Sequence, residues 1–205
     1  MTFFQTNKKG STKEKILDSA VRLFAQHGFD NTSMRDLAKD VGVKNPSLYN
    51  HFESKKEILT ELYRFYTEQR IIAIPNIGEI LNQLERMPPH EILMNLEHRF
   101  PPDVADIMTK ILTIAARAVT TDYDSWKFIE NNVLAPKEQL ASIVKNLIEL
   151  EVIEPFDIDA FCDIVMHYCF SSIALMASPL KVDNEAWKNG LSFLYLSFIK
   201  PIKKI

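Results

Sequence analysis

Ser47, Tyr49, Asn50 and His51 lie within five positions of one another, in the stretch NTSMRDLAKDVGVKNPSLYNHFESKKEIL that runs from Asn31 to Leu59. Together they offer hydroxyl, phenol, amide and imidazole groups, a row of hydrogen-bond donors and acceptors. Cations flank the row: Arg35 and Lys44 precede it, and Lys55 and Lys56 follow it. Arginine donors suit a guanine edge or a phosphate, and an asparagine suits a purine. The chemistry on offer is recognition of a polyanion that carries base edges.

Such a row works only if a rigid element holds it outward. Asn45 is placed to cap a short helix and Pro46 suits its first position, where the missing N–H has no intrahelical partner. Leu48 and Phe52, four apart, then point together into a core, leaving Ser47 and Asn50 on the far side and Tyr49 on a flank. Tyr49 is equally suited to a core edge, and His51 to a packed site near Leu48 and Phe52. Ser11 with Glu14, Ser33 with Asp36 and Ser54 with Glu57 each set a carboxylate three residues after a hydroxyl, which marks three further helix starts. Ile16, Leu17, Ala20, Val21, Leu23 and Phe24 form the buried stripe of the first helix, which Gly28 ends in a left-handed turn. A second helix runs from about Ser33 to Asp40 and stops before Gly42. Two short helices around a glycine turn, braced by a preceding helix, make a helix-turn-helix, whose second helix fits a B-DNA major groove.

Charge follows the same division. The first 56 residues hold ten Lys/Arg against six Asp/Glu, net +4, and the remainder fourteen against twenty-one, net −7. That asymmetry suits a polyanion-binding end, although a scatter of a few charges gives the same numbers. Residues 1–10 read as a mobile tail with Lys8 and Lys9 adding to the positive end.

The rest of the chain keeps the 3.6-residue period, and no two-residue alternation bounded by hairpin turns interrupts it. The fold class is all-α. A helix from Ser54 ends near Pro75, and proline punctuation places further helices near 77–86, 90–99, 103–119, 122–133, 137–150, 157–177 and 184–199. With 46% hydrophobic and 25% charged residues, 205 residues suffice for a real core. Apolar runs such as FLYLSFI fall short of the ~20 residues of a membrane span, and the N-terminus has no secretory pattern, so a soluble, cytoplasmic protein without a membrane partner is expected. Cys162 and Cys169, seven apart on one predicted helix, do not suggest a disulfide.

Between Thr12 and Leu62, the order of helix, Gly-aromatic, Thr/Ser, Leu-Ala, Gly-Val, Leu-Tyr-x-His-Phe and Ser-Lys resembles the TetR family of bacterial transcription regulators. The resemblance implies an N-terminal three-helix helix-turn-helix domain (1–54) followed by a larger helical domain for effector binding and dimerisation (55–205). It implies that Arg35, Asn45, Pro46, Ser47 and Tyr49 touch bases or sugar-phosphate, and that Ser33, His51 and Lys55 touch backbone. Lys44 departs from the family, which has a small hydroxyl residue there, and this shifts the expected cap to Asn45. The implied partners are a double-stranded, palindromic DNA operator, a second copy of the chain, and an apolar or amphipathic small-molecule effector, with no cofactor. By the same analogy the middle helices enclose the effector, with Met108, Ile111, Arg117, Trp126, Phe128, Ile143 and His167 as candidates, and His98, Arg99 and Asn131 as further polar ones. Phe161, Ile164, Val165, Tyr168, Ser172, Trp187, Leu191, Leu194 and Phe198 form a seam on the last two helices that suits either a dimer interface or an intrachain core.

Enzyme signals are wanting. The histidines of HEILMNLEH, His90 and His98, are eight apart rather than four, and no Gly-rich phosphate loop, nucleophile elbow or Cys-x-x-Cys occurs. Asp159, Asp163 and His167 share a stripe that suits a metal, but two aspartates at a helix start suit the helix dipole as well. A repressor released by its effector is the expected function. A DNA-binding structural or partner-recruiting protein without an effector is the alternative.

Overall fold

A computed structural model describes residues 11–73, 75–95, 100–177 and 184–202, without the side chains of 72, 73, 176, 177 and 184–188. The expected tail, His98 and Arg99, and the side chain of Trp187 lie outside the described residues. Among those described the chain is helical: α1 (Thr12–His27), α2 (Met34–Val41), α3 (Asn45–Tyr49), α4 (Lys55–Ala73), α5 (Ile77–Gln83), α6 (Pro89–Met94), α7 (Pro102–Ala118), α8 (Tyr123–Ile129), a π-helical turn (Glu130–Leu134), α9 (Lys137–Glu149), α10 (Ile158–Ala177) and α11 (Asn184–Phe198). The only extended pairing among these residues is an isolated antiparallel bridge between Ile153 and Pro201.

The chain forms two compact units, one of residues up to 71 with 100–128, the other of 72–99 with 129 onward. The first is built on α1. Ser11 and Glu14 close a capping box at its start, and Ile16, Leu17, Ala20, Val21 and Phe24 are buried along one face. Leu37 and Ala38 of α2, Leu48 of α3, Phe52, and Ile58, Leu59 and Leu62 of α4 are buried in this unit. Helix α7 packs against α1, and the Arg117 guanidinium donates to the Ala25 carbonyl at 2.5 Å, satisfying one of the acceptors left free at the end of α1. The polypeptide after α1 turns at Gly28 with φ +90, a conformation that costs a residue with a Cβ. Its ψ of 153 makes this an extended turn rather than the expected left-handed one.

In the second unit, the core joins α5, α6, α9, α10 and α11 through Ile80, Leu93, Val144, Phe161, Leu191 and Tyr195. Gly190 allows the close approach of α10 and α11, because a Cβ there would lie 2.2 Å from the Tyr168 hydroxyl. Residues Ile158–Leu175 are long and apolar enough by composition to cross a membrane, with mean hydropathy 1.4. That helix escapes a search for continuous apolar runs because Asp159, Asp163 and His167 interrupt it. Its Phe161, Cys162 and Val165 nevertheless lie in the core, and burial pushes the Cys162 thiol up to about 11.

Candidate nucleic-acid interface

Helix α2 starts in a capping box. The Ser33 hydroxyl accepts from the Asp36 amide at 3.2 Å and the Asp36 carboxylate accepts from the Ser33 amide at 2.8 Å. The Ser33 hydroxyl also donates to that carboxylate at 2.6 Å, and these bonds hold the Asp36 carboxyl below its ordinary pKa. Ser33, expected at the DNA backbone, is thus engaged in its own helix. At the other end Gly42 takes the left-handed conformation, φ 78, and the Val43 amide returns to the Ala38 carbonyl at 2.9 Å. The turn is tight enough to bring α3 directly against α2.

Helix α3 starts one residue earlier than expected, at Asn45. Lys44 is the N-cap, with extended backbone and no side-chain capping bond; Asn45 is already helical and Pro46 stands in the first turn. Pro46 is tolerated there because its missing N–H has no intrahelical partner in the first turn. Leu48 is fully buried and Phe52 nearly so, which anchors one edge. Opposite, Asn45, Pro46, Tyr49, Asn50 and His51 are exposed and Ser47 is half-buried. Tyr49 keeps 47% of its surface in solvent, so the phenol is available outside the core. Arg35 and Lys44 are exposed as well. The outward edge is therefore assembled as expected.

Lys55 and Lys56 are not free in the same way. The Lys55 ammonium donates to the Phe29 carbonyl at 2.5 Å and the Asp30 carbonyl at 3.3 Å, and it lies 4.3 Å from the centre of the Phe29 ring. Lys56 ion-pairs with Asp122, and with Asp124 at 2.9 Å. Partial burial draws the Lys56 pKa down, and its hydrogen bonds to the two carboxylates more than offset this and leave it raised. Behind Asp122 the chain of hydrogen bonds continues inward. Ser125, fully buried, donates from its hydroxyl to Asp122 at 2.5 Å, and the Tyr63 hydroxyl lies 2.8 Å from that of Ser125. The Tyr63 ring stacks on Phe128 at 4.1 Å, and burial raises its pKa above the ordinary phenol value. Sequence spacing gave no sign of this network, since its partners are 62 and 66 residues apart.

The seven effector candidates divide between the two units. Met108, Ile111 and Phe128 are buried in the first unit, where Trp126 is partly exposed and Arg117 binds α1. Ile143 and His167 belong to the second unit. His167 is exposed, with a ring nitrogen 2.7 Å from the Asp163 carbonyl. The Lys137 ammonium sits 2.7 Å from Asp163 and 3.9 Å from Asp159, supplying these aspartates with a cation. A groove of about 620 Å³ lies instead beside α1 and α2, lined by Leu23, His27, Thr32, Asp36, Lys39 and Asp40.

The described residues of the expected seam other than Ile164 pack within the second unit. Phe161, Val165, Ser172 and Leu191 are buried within their own unit, and Tyr168, Leu194 and Phe198 pack against the same core. Apolar periodicity marks a buried stripe without saying which molecule buries it. On the outside of α10 and α11, Ile164, Leu175, Phe193 and Leu196 are 45, 46, 74 and 51% exposed. The excess of apolar residues on α10 beyond one stripe is the signal that marked them.

Comparison with known proteins agrees with the geometry. Residues 16–62 match the family model for bacterial regulatory proteins of the tetR family. The chain is 52% identical over 46 residues to IcaR of Staphylococcus aureus, the negative transcriptional regulator of the biofilm operon icaADBC, a match spanning 22% of this chain and 25% of IcaR. It is 30% identical over 111 residues to the transcriptional regulator AcrR of Shigella flexneri, spanning 54% of this chain and 43% of AcrR. The match thus covers less than half the length of these curated relatives. Among solved structures, the ketosteroid transcriptional regulator KstR2 of Mycobacterium tuberculosis superposes with TM-score 0.64 at 21% identity, covering 94% of this chain and 97% of its own. A transcriptional regulator from Saccharomonospora viridis, solved in complex with choline, superposes with TM-score 0.68 at 17% identity, covering 93 and 98%. These likenesses carry the fold across the chain, and residues 16–62, the helix-turn-helix, carry its likeness to the tetR family of bacterial regulatory proteins.

Proposed function

We propose that this chain is a homodimeric repressor that binds a palindromic DNA operator in the cytoplasm and releases it when a small molecule occupies the helical domain. The observation that carries the DNA-binding part is the exposed polar edge of α3, held outward by buried Leu48 and Phe52. Residues 1–54 form the DNA-facing domain, lying inside the first compact unit, and residues 55–205 the effector and dimer domain. Two recognition helices reach successive major grooves when roughly 34–36 Å apart. A ligand that prefers another separation shifts the population off the operator.

Dimerisation is supported by the four exposed apolar side chains of α10 and α11, a face that monomeric proteins seldom leave in water. The effector is supported by analogy, the choline complex being a solved instance in a protein of the same fold. Its chemistry here is apolar or amphipathic, after the apolar side chains of α7–α9. A partner-recruiting protein without an effector is the second possibility, favoured by the exposed Tyr123 and Trp126 on α8.

The test is fluorescence anisotropy with a duplex from the region upstream of the chain's own coding sequence and an unrelated duplex. Tyr49→Ala should weaken binding to the first by about 1–2 kcal/mol without lowering the melting temperature. Equal affinity of parent and variant removes α3 from the interface. A screen of small molecules that dissociates the complex separates the repressor from the recruiting protein.

A further inference from the structure

His167 stands on the outward side of α10, in line with apolar side chains that the helix leaves in solvent. Ile164, His167, Ser171 and Ala174 are all exposed and follow one another at intervals of three, four and three residues, the spacing at which one helix meets another along a seam. Helix α11, packed beside α10, adds the exposed Phe193 and Leu196. A titratable ring is thus set into the surface on which two copies pair in the proposed function.

The hydrogen bond of the ring fixes its tautomer. Nδ1 lies 2.7 Å from the Asp163 carbonyl, which can only accept, so Nδ1 carries the proton of the neutral ring and a second proton adds at Nε2. Little nearby compensates the charge that this second proton brings. Asp163, one turn back, is committed to the Lys137 ammonium of α9 at 2.7 Å, and Asp159 lies 3.9 Å from the same ammonium. The other charged residues of α9 are Glu138 and the Lys145–Glu149 ion pair. Helix α11 has no charged side chain from Asn189 to Ile199, and the π-helical turn, which also packs on α10, brings only Glu130. On α10 itself, burial raises the pKa of the Cys162 thiol and of the Tyr168 phenol, so both stay neutral below pH 8.

We propose that His167 makes dimerisation acid-sensitive: the neutral ring fits the paired face, the imidazolium opposes pairing, and the dimer parts as pH falls through the histidine range. Two effects act in the same direction. Pairing takes the ring out of water, which disfavours its charged form. A twofold interface also uses the same face of both copies, so two like charges approach each other. A basic group whose protonation is disfavoured in the pair strengthens association fully at high pH, and that contribution is lost as pH falls. The proposal rests on the dimer face proposed above.

Sedimentation equilibrium of the full chain at about pH 8 and about pH 5.5, which bracket the charge change of an ordinary histidine, reads the dimer dissociation constant. For the parent it should rise about tenfold or more at the lower pH, one histidine from each copy contributing. For His167→Gln, whose amide is polar and never charged, it should change by less than about twofold. His27, His51, His90 and His98 remain in both proteins, so the difference between them belongs to His167. A parent dimer that is equally tight at both pH values or tighter in acid, or an equal loss in His167→Gln, overturns the proposal. Phe193→Glu separates this failure from that of the reading beneath it. If the parent is monomeric at pH 8, or Phe193→Glu stays dimeric there, the paired face lies elsewhere and both ideas fall. If Phe193→Glu is monomeric while the parent dimer ignores pH, the face stands and only the role of His167 is lost.

Discussion

In the first compact unit, exposed ion pairs link helices around the buried core: Arg22 pairs with Asp40, Lys13 with Glu61 at 3.2 Å, and Lys56 with Asp122 and Asp124. In the second they meet through rings, with Phe156, Phe161, Tyr195 and Phe198 at centroid distances of 5.3–5.7 Å. Ion pairs at a surface are individually weak and screened by salt, whereas packed aromatics are insensitive to both salt and pH. The ion pairs that supplement the core of the unit presenting α3 can exchange partners at small cost, and the aromatic cluster of the unit that exposes Phe193 and Leu196 cannot.

The comparison breaks most severely at Phe161, fully buried among Phe156, Tyr195 and Phe198. Phe161→Ala should cost about 3–5 kcal/mol, from lost burial and the cavity left behind, read as a fall in the midpoint of urea unfolding. A loss below about 1 kcal/mol, outside the range for a buried aromatic, would mean that the aromatic cluster does not hold this unit together. No single ion-pair deletion in the first unit should approach that figure.

Phe193 sharpens the contrast from the surface. With 74% of it exposed, Phe193→Glu should leave the subunit folded, with an unchanged melting profile when measured as a monomer. It should weaken dimerisation by about 2 kcal/mol or more if the side chain is central to the paired face, and sedimentation at micromolar concentration should show monomer where the parent shows dimer. An unchanged mass would place the dimer face elsewhere than α10 and α11.

What was legible in the sequence follows the same divide. The helix starts in the first unit were readable because capping boxes are local, closing within four residues at Ser11 and Ser33. The outward edge of α3 was readable because Leu48 and Phe52 set its direction by spacing alone. The engagement of Lys56 was not, because Asp122 is 66 residues away and no pattern in either segment announces the other. The seam on the last two helices was legible only as an apolar stripe. Helix α10 is apolar on more than one side, so a seam drawn through Phe161, Ile164 and Val165 mixes core residues with the exposed Ile164 and leaves out Leu175. The π-helical turn after α8 was also hidden, since Glu130–Leu134 continues the helical period with one extra residue and carries no proline or glycine to mark it.

The smallest expected effect is electrostatic and lies in the first unit. Glu61 receives the Arg64 guanidinium at 2.8 and 3.0 Å and the Lys13 ammonium from α1, and the Arg64 hydrogen bonds, ahead of Lys13, hold its carboxyl at about 2 against an ordinary 4.5. A carboxyl whose pKa is depressed by folding adds stability that is complete above the unfolded value and disappears as pH falls through the folded one. The window is therefore pH 4.5 down to about 2. Arg64 is itself largely exposed, so solvent screening limits the contribution to about 1 kcal/mol. Glu61→Gln should lower stability by that amount at pH 7, and the difference from the parent should shrink to nothing near pH 2. It should shrink likewise in ~1 M salt at pH 7, where the screening length falls to about 3 Å. Phe161→Ala should show the same deficit at both salt concentrations. A Glu61→Gln deficit that persists in high salt would mean that packing, not charge, joins α4 to α1, and the contrast between the two units would lose its clearest case.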